Sequence, residues 1–168
     1  MAKRVLPFDP IAEARRQWVA HDFAHADTMA AATSIMRAQQ IVLAQVEQAL
    51  RPFGLTFARY EALVLLLFTR KGELPLGKMG ERLQVHPTSM TNAVDRLQAQ
   101  GLVERVRHPV DGRTTLARIT DAGRRVVQEA TDELSRRGFT ELGLDADELL
   151  ELFRLLRKVR GAAGDFVG

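Results

Sequence analysis

The sequence contains no cysteine, and this absence removes several classes of protein at once. Without thiols the chain can have no disulfide framework, no cysteine nucleophile, no thiolate metal site and no thiol redox switch. Long apolar runs are also missing, because charged residues interrupt every apolar stretch and the N-terminus carries no run of signal-peptide length. We therefore expect no membrane-spanning segment and a cytoplasmic location.

The sequence also has little excess of positive over negative charge. Lysine and arginine total 24 against 21 aspartates and glutamates, for a formal net charge of +3. This surplus permits binding to a polyanion but does not argue for it, so the placement of the basic residues matters more than their number. With 46% hydrophobic residues in a chain of 168, we expect one globular domain with a dimerisation element.

Hydrophobic periodicity predicts a mainly helical chain. The predicted helices are, in order, Pro10–Phe23, Thr28–Leu50, Phe57–Thr69, Leu76–Leu83, Pro87–Gln100, one from Thr120 to about Arg137, and Ala146–Arg160. Two strands are predicted between the fifth and sixth helices, at Leu102–Arg107 and Thr114–Thr120. The Asp-Gly pair between them, Asp111 and Gly112, is typical of a β-hairpin turn.

Two of the short helices form a recognisable pair. Only Gln84, Val85 and His86 separate Leu76–Leu83 from Pro87–Gln100, which is the spacing of a helix-turn-helix. Four apolar residues of the second helix fall on one stripe, namely Met90, Ala93, Val94 and Leu97. The opposite face then carries short polar side chains, namely Thr88, Ser89, Thr91, Asn92, Asp95 and Arg96. Such side chains can approach base edges and form paired hydrogen bonds with purines.

The predicted hairpin is basic around its turn. It carries Arg105, Arg107, His108 and Arg113. Arginines at the tip of a loop can reach phosphates or enter a narrow minor groove. We expect Asp111 to orient the Arg113 guanidinium through a charge-assisted pair. The alternative is a solvated hairpin that is basic without binding DNA.

Together these features form a known pattern. The run GERLQVHPTSMTNAVDRLQAQGLVERVRHPVDGRTTLARITDAG resembles the MarR family of bacterial regulators, in which a recognition helix ends in a DRL…GLV segment and leads into a D-x-R wing. The resemblance covers roughly Thr28 to Arg160, and its most specific part is Leu76 to Gly123.

The resemblance implies a mainly α fold with a small β-hairpin wing, a winged helix-turn-helix with N- and C-terminal dimerisation helices. Residues 1–27 would be an N-terminal extension, 28–55 and 121–168 the dimerisation region, and 56–120 the DNA-binding region, all in one structural domain. A two-fold dimer would bind a pseudo-palindromic operator with half-sites about one helical turn apart. The DNA-binding residues carried over are Thr88, Ser89, Thr91, Asn92, Arg96, Asp111 and Arg113; the basic hairpin adds Arg105 and Arg107.

A small effector would enter a crevice between the dimer helices and the winged module, as the resemblance implies. The ligand residues suggested are Trp18, His21, Met36, Arg59 and Tyr60. A structural role in the core remains open for Trp18, the only tryptophan. His21 and His25 have a spacing compatible with metal binding, but a polar surface helix explains the pair equally well, and we predict no metal or other cofactor.

Three functions compete. The first is a sequence-specific transcriptional regulator, a repressor relieved by a small aromatic or anionic ligand. The second is an enzyme, which nothing supports because the chain has no G-x-S-x-G, Walker, dinucleotide or H-E-x-x-H motif. The third is an architectural or adaptor protein that binds DNA without sequence preference. We expect the first.

Overall fold

Seven α-helices and three short strands make up the part of the chain that this computed structural model describes, residues 5–111, 113–139 and 142–167. The helices are α1 Pro10–Ala20, α2 Ala26–Leu50, α3 Phe57–Leu67, α4 Leu76–Leu83, α5 Pro87–Ala99, α6 Asp121–Glu133 and α7 Ala146–Ala162. The strands are β1 Glu73–Pro75, β2 Val103–Arg107 and β3 Thr115–Ile119. A 3₁₀ turn, Arg51–Phe53, follows α2, and a π turn, Leu134–Gly138, extends α6.

The seven predicted helices and both predicted strands are confirmed. The first helix ends earlier than we expected, at Ala20, because Asp22 adopts a left-handed backbone conformation with φ of 53°. Sequence patterns did not indicate β1, which has only three residues. The predicted turn residue Gly112 lies outside the described residues.

A hydroxyl and a carboxylate side chain cap the first turns of α6 and α7. The Thr120 hydroxyl accepts the Gly123 N–H at 3.0 Å, which caps α6, and donates to the Gly101 carbonyl at 2.7 Å. Asp145 and Glu148 form a capping box at the start of α7.

The three strands form one antiparallel sheet in the order β1-β3-β2. Arg118 on the central strand stands opposite Glu73 of β1 and Glu104 of β2. Its guanidinium lies 2.7 Å from the Glu73 carboxylate and 3.3 Å from that of Glu104. One arginine therefore ties both outer strands to the middle one, and the β2–β3 hairpin forms the wing.

The hydrophobic core surrounds α3. Tyr60, Ala62, Leu63 and Leu66 of this helix are buried. The residues packed in the same cluster come from every other helix except α1 and α7; they include Leu50, Met79, Met90, Val94, Leu97, Val127 and Leu134. The core therefore joins the helix-turn-helix to the end of α2 and to α6.

By contrast, α7 buries none of its residues within this chain. Its exposed apolar residues are Leu149, Leu150, Leu152, Phe153, Leu155 and Val159. Much of α2 is similar, since no residue from Ala26 to Gln45 is fully buried. Among the described residues, no helix has the length and apolar character needed to cross a membrane.

Gly123 in the first turn of α6 packs directly against the chain that precedes the wing. A methyl group there would overlap the Leu102 carbonyl oxygen and crowd Ile119. We expect Gly123→Ala to lower the free energy of unfolding by about 1–3 kcal/mol, since overpacking forces the backbone apart.

Gly77 in α4 is the matched control, because a methyl group there meets open space. Gly77→Ala should raise the free energy of unfolding by about 0.4–1 kcal/mol. Denaturant unfolding of the two variants measures both values. Equal stability of the Gly123→Ala protein and the wild type would show that the close approach is not a constraint.

Candidate nucleic-acid interface

The connection between α4 and α5 places one end of α5 at the surface. Gln84 follows α4 in the left-handed conformation, with φ of 54°. Pro87 is the first residue of α5, and the His86 ring accepts the Thr88 N–H at 3.3 Å. Proline suits this position because the first N–H of a helix has no partner within the helix. The turn is therefore short and defined at both ends.

The two faces of α5 divide as predicted. Met90, Val94 and Leu97 are buried, and Ala93 is half-buried. Thr88, Ser89, Asn92, Asp95 and Arg96 are exposed, whereas Thr91 is half-buried. A line of polar side chains thus faces outward from a helix that the core holds firmly on its other side.

Arg105 does not point freely from the wing. Its guanidinium lies 2.7 Å from the carboxylate of Asp95, the only acidic residue on α5. The pair neutralises a negative charge that would otherwise repel phosphate, and it links β2 to α5. Arg105, which the sequence predicts as a DNA-binding residue, thus has an ionic partner within the chain.

The wing turn is organised by Asp111. Its carboxylate accepts the backbone N–H of Arg113 at 3.1 Å and the Thr114 hydroxyl at 2.6 Å. These hydrogen bonds, the one from Thr114 first, lower the pKa of Asp111. The expected pair between this carboxylate and the Arg113 guanidinium is wrong, because the ion pairs of the described residues do not include it. Asp111 therefore shapes the backbone of the turn.

His108 supports the same turn from the other side. Its Nδ1 lies 3.0 Å from the Asp111 backbone nitrogen and 3.3 Å from that of Val110, and accepts hydrogen from both. The side chains of Arg107 and Arg113 are exposed beside this turn. The result is a structured loop that presents two guanidinium groups to solvent.

Arg59 lies beside α5, where we did not expect it. It shares an open cavity of about 500 Å³ with Ser89, Asn92 and Arg96 of α5. Its Nε donates to the hydroxyl of Thr56, the residue that caps α3, at 3.2 Å. Arg59 is thus a cation at the start of α3, next to the polar face of α5. Periodicity in the sequence gives no signal for this position, because it arises from the packing of α3 against α5.

The other four suggested ligand residues lie in different local surroundings. Trp18 donates from Nε1 to the Ala24 carbonyl at 2.9 Å and meets the ring of Phe23 edge-on at 5.2 Å. Tyr60 is buried, and its hydroxyl lies 3.0 Å from that of Thr131. Met36 is 66% exposed on α2. Trp18 therefore closes the turn between α1 and α2.

The two histidines of the N-terminal segment are also accounted for locally. His21 Nδ1 lies 2.9 Å from the Gln17 carbonyl oxygen, and His25 precedes α2 with φ of 61°. The neighbouring Asp27 pairs with Arg15 at 2.6 Å. Within the described ranges, no group of three or more histidine, aspartate or glutamate side chains is placed to hold a metal ion.

A polar helix exposed by a helix-turn-helix, next to an arginine-bearing hairpin, defines a winged helix-turn-helix transcriptional regulator. The model of the MarR family matches residues 53–114. The chain is also 31% identical over 117 residues to the HTH-type transcriptional repressor IacR of Pseudomonas putida, an alignment that covers 68% of each protein. The chain belongs to the MarR family.

Solved structures agree with this assignment. The fold is similar to that of Sco5413, a MarR family transcriptional regulator from Streptomyces coelicolor, with 56% sequence identity and a TM-score of 0.78. That match covers 86% of this chain and all of the other. The mainly α fold with a small wing is thereby confirmed.

Replacing Thr114 by valine should raise the pKa of Asp111 toward its ordinary value, since the threonine hydroxyl is the main cause of the lowering. Because the folded-state pKa is the lower one, the hydrogen bonds of Asp111 stabilise the wing above the ordinary pKa of aspartate. That stabilisation is lost as the pH falls through the lowered value. A carboxyl ¹³C NMR titration measures both proteins.

Thr115→Val serves as the control, because Thr115 is exposed on β3 and is not bonded to Asp111. We expect its Asp111 titration to match the wild type. An identical titration in the Thr114→Val protein would contradict the proposed organisation of the turn.

Proposed function

We propose that the protein is a homodimeric repressor that binds a pseudo-palindromic operator and is released from it by a small effector. The observation that carries this proposal is the exposed polar face of α5, whose only acidic residue is neutralised by Arg105. A similar protein, a mutant MarR from E. coli, was solved in complex with operator DNA. It is 26% identical to this chain, with a TM-score of 0.71.

The side chains divide into two kinds of DNA contact. The short polar residues of α5 would lie in the major groove and contact base edges, namely Thr88, Ser89, Thr91 and Asn92, with Arg96 at the far end. Arg59 at the start of α3 and the wing arginines, Arg107 and Arg113, would bind phosphates or the adjoining minor groove. Asp111 would hold the wing turn in the shape that presents Arg113. Arg105 would act indirectly, through Asp95.

The second copy of the chain would cover α7 and the first half of α2. A monomer that left six large apolar residues of α7 exposed would present an unusually large apolar surface. Residues 28–55 and 121–168 would thus form the dimerisation region, and 56–120 the DNA-binding region. A two-fold dimer places two copies of α5 on successive major grooves.

The effector would occupy the apolar cavity between α2 and α7, enclosed by the second copy. This cavity has a volume of about 540 Å³. Its lining is Ile35, Ala38, Val42, Leu142, Leu144, Leu152 and Leu156, with Ser34 and Gln39 as hydrogen-bonding groups. Because the described part of this lining includes no cation, a neutral aromatic ligand is favoured over an anion. A similar regulator that is 25% identical to this chain, CouR from Rhodococcus jostii RHA1, was solved bound to p-coumaroyl-CoA. Since that molecule joins an aromatic group to the anionic coenzyme A, the comparison supports an aromatic effector and does not bear on its charge.

In this proposal the protein binds without catalysing a reaction, and it acts in the cytoplasm, where bacterial chromosomal DNA lies. The alternative is an architectural protein that coats DNA. A binding titration can distinguish the repressor from the architectural protein. It compares the DNA upstream of the protein's own gene with random duplexes at one salt concentration. We expect a specificity ratio of about a thousandfold or more. A ratio near one would favour the alternative.

Two variants test the division of contacts in that titration. Asn92→Ala should relax the base preference at the half-site and cost about 1–3 kcal/mol on the operator alone. Arg59→Ala should weaken binding to every sequence and reduce the salt-dependence slope by about one. Arg125→Ala is the control for charge, since Arg125 is exposed on α6. Equal losses on all sequences for Asn92→Ala would contradict its contact with a base.

Phe153→Asp tests the dimer. Phe153 is 63% exposed at the centre of the apolar face of α7, and a carboxylate buried there without a partner is costly. We expect this variant to sediment as a monomer at concentrations where the wild type is a dimer, and to lose operator affinity. Lys158→Ala, on the same helix, should remain dimeric. A dimeric Phe153→Asp protein would place the interface elsewhere.

A further inference from the structure

Gln84 carries a side chain at a backbone position that disfavours one. The N–H groups of Gln84 and Val85 donate to the carbonyls of Glu81 and Gly80 at 3.3 Å and 3.0 Å, which ends α4 in a Schellman motif. The left-handed residue of this motif is most often glycine. In any other residue, the Cβ atom would crowd the following carbonyl oxygen in this conformation. Turn geometry alone therefore does not explain a glutamine here.

Helix α7 also ends in a Schellman motif. Gly164 is left-handed, with φ of 75°, and its N–H donates to the Gly161 carbonyl at 3.0 Å. The N–H of Asp165 donates to the Arg160 carbonyl at 3.1 Å. The Asp165 carboxylate also pairs with the Arg160 guanidinium at 2.6 Å. We call residues 163–167 the C-terminal turn.

An aromatic ring holds this turn against α7. The ring of Phe166 lies under two guanidinium groups, those of Arg157 at 5.1 Å and Arg160 at 5.5 Å from its centre. Phe166 and Asp165 are both partly buried, although most of α7 is exposed. Cation–π contact and ion pairing therefore give the C-terminal turn a defined conformation.

The two motifs meet through the glutamine. Gln84 Nε2 donates to the backbone carbonyl of Asp165 at 2.8 Å, across 81 positions of sequence. We infer that the C-terminal turn is a brace for the helix-turn-helix, with Gln84 and Phe166 as positioning residues for DNA binding. The inference rests on the proposed function and adds to it a direct connection between α7, in the proposed dimerisation region, and the turn that sets the start of α5.

The brace can be separated from a local role of Gln84 in its turn. Gln84→Gly removes the amide but also relieves the left-handed backbone, so a local role predicts a protein that is at least as stable and binds DNA equally well. The brace predicts an unchanged or higher thermal midpoint with operator affinity reduced about three- to tenfold, the effect of one net hydrogen bond. A variant with unchanged affinity would overturn the inference.

Phe166→Ala tests the same connection by loosening the C-terminal turn. It should lower operator affinity by a similar factor, and the double variant with Gln84→Gly should lose no more than the larger single loss, because both changes break one connection. Gln128→Ala is the matched control, since Gln128 is exposed on α6 and its amide bonds Asp132 one turn away. Additive losses would mean that the two residues act independently, against the brace.

A measurement without DNA keeps this test distinct from that of the proposed function. In the free wild-type protein, the Val85 amide donates to Gly80 next to the braced residue. Its hydrogen exchange should be faster in the Phe166→Ala protein and unchanged in Gln128→Ala. If the wild-type protein did not bind the DNA upstream of its own gene, the proposed function would be wrong. The hydrogen-exchange rates would still test whether the C-terminal turn braces the helix-turn-helix. Equal exchange in wild type and Phe166→Ala would refute it.

Discussion

Burial of one stripe of α5 against α3 is the constraint on which the rest of the molecule depends. Met90, Val94 and Leu97 can be excluded from water only in one rotation of the helix, and that rotation turns Asn92 and Arg96 outward. If α5 could rotate about its own axis, its short polar side chains would have no fixed orientation at the surface. A packed core thus converts a sequence pattern into a surface with a defined orientation.

The chain divides its apolar residues between two purposes. Those of α3, α5 and α6 complete a core within one copy, whereas those of α7 and the first half of α2 find few partners there. The core of α3, α5 and α6 is complete without the exposed apolar residues of α7 and α2. Those residues are therefore expected to contact another chain. The position of α7 would then be set by two sets of contacts, with the second copy and with the C-terminal turn.

Helix periodicity, caps and the recognition-helix face could be predicted from the sequence because they depend on neighbours within a turn or two. The stripe of α5 is buried as its pattern indicated, and Thr120 and Asp145 are residue types that commonly cap helices. The sequence did not predict contacts between distant elements. The Arg105–Asp95 pair joins a strand to a helix, and Arg59 meets α5 only through the fold, so neither leaves a periodic signal. The sequence predicts Asp111 as a wing residue, but it does not show that its carboxylate accepts a backbone N–H and a hydroxyl, because that depends on the geometry of the turn.

The ionic contacts of Arg118 have a mechanical consequence. Because its guanidinium contacts both outer strands, and Arg105 pairs with Asp95 of α5, ionic contacts join the base of the wing to the rest of the sheet and to the helix beside it. Beyond Arg107, hydrogen bonds to His108 and Asp111 take over this role. In the proposed dimer, an effector would then change the distance or tilt between the two DNA-binding halves without moving either wing separately.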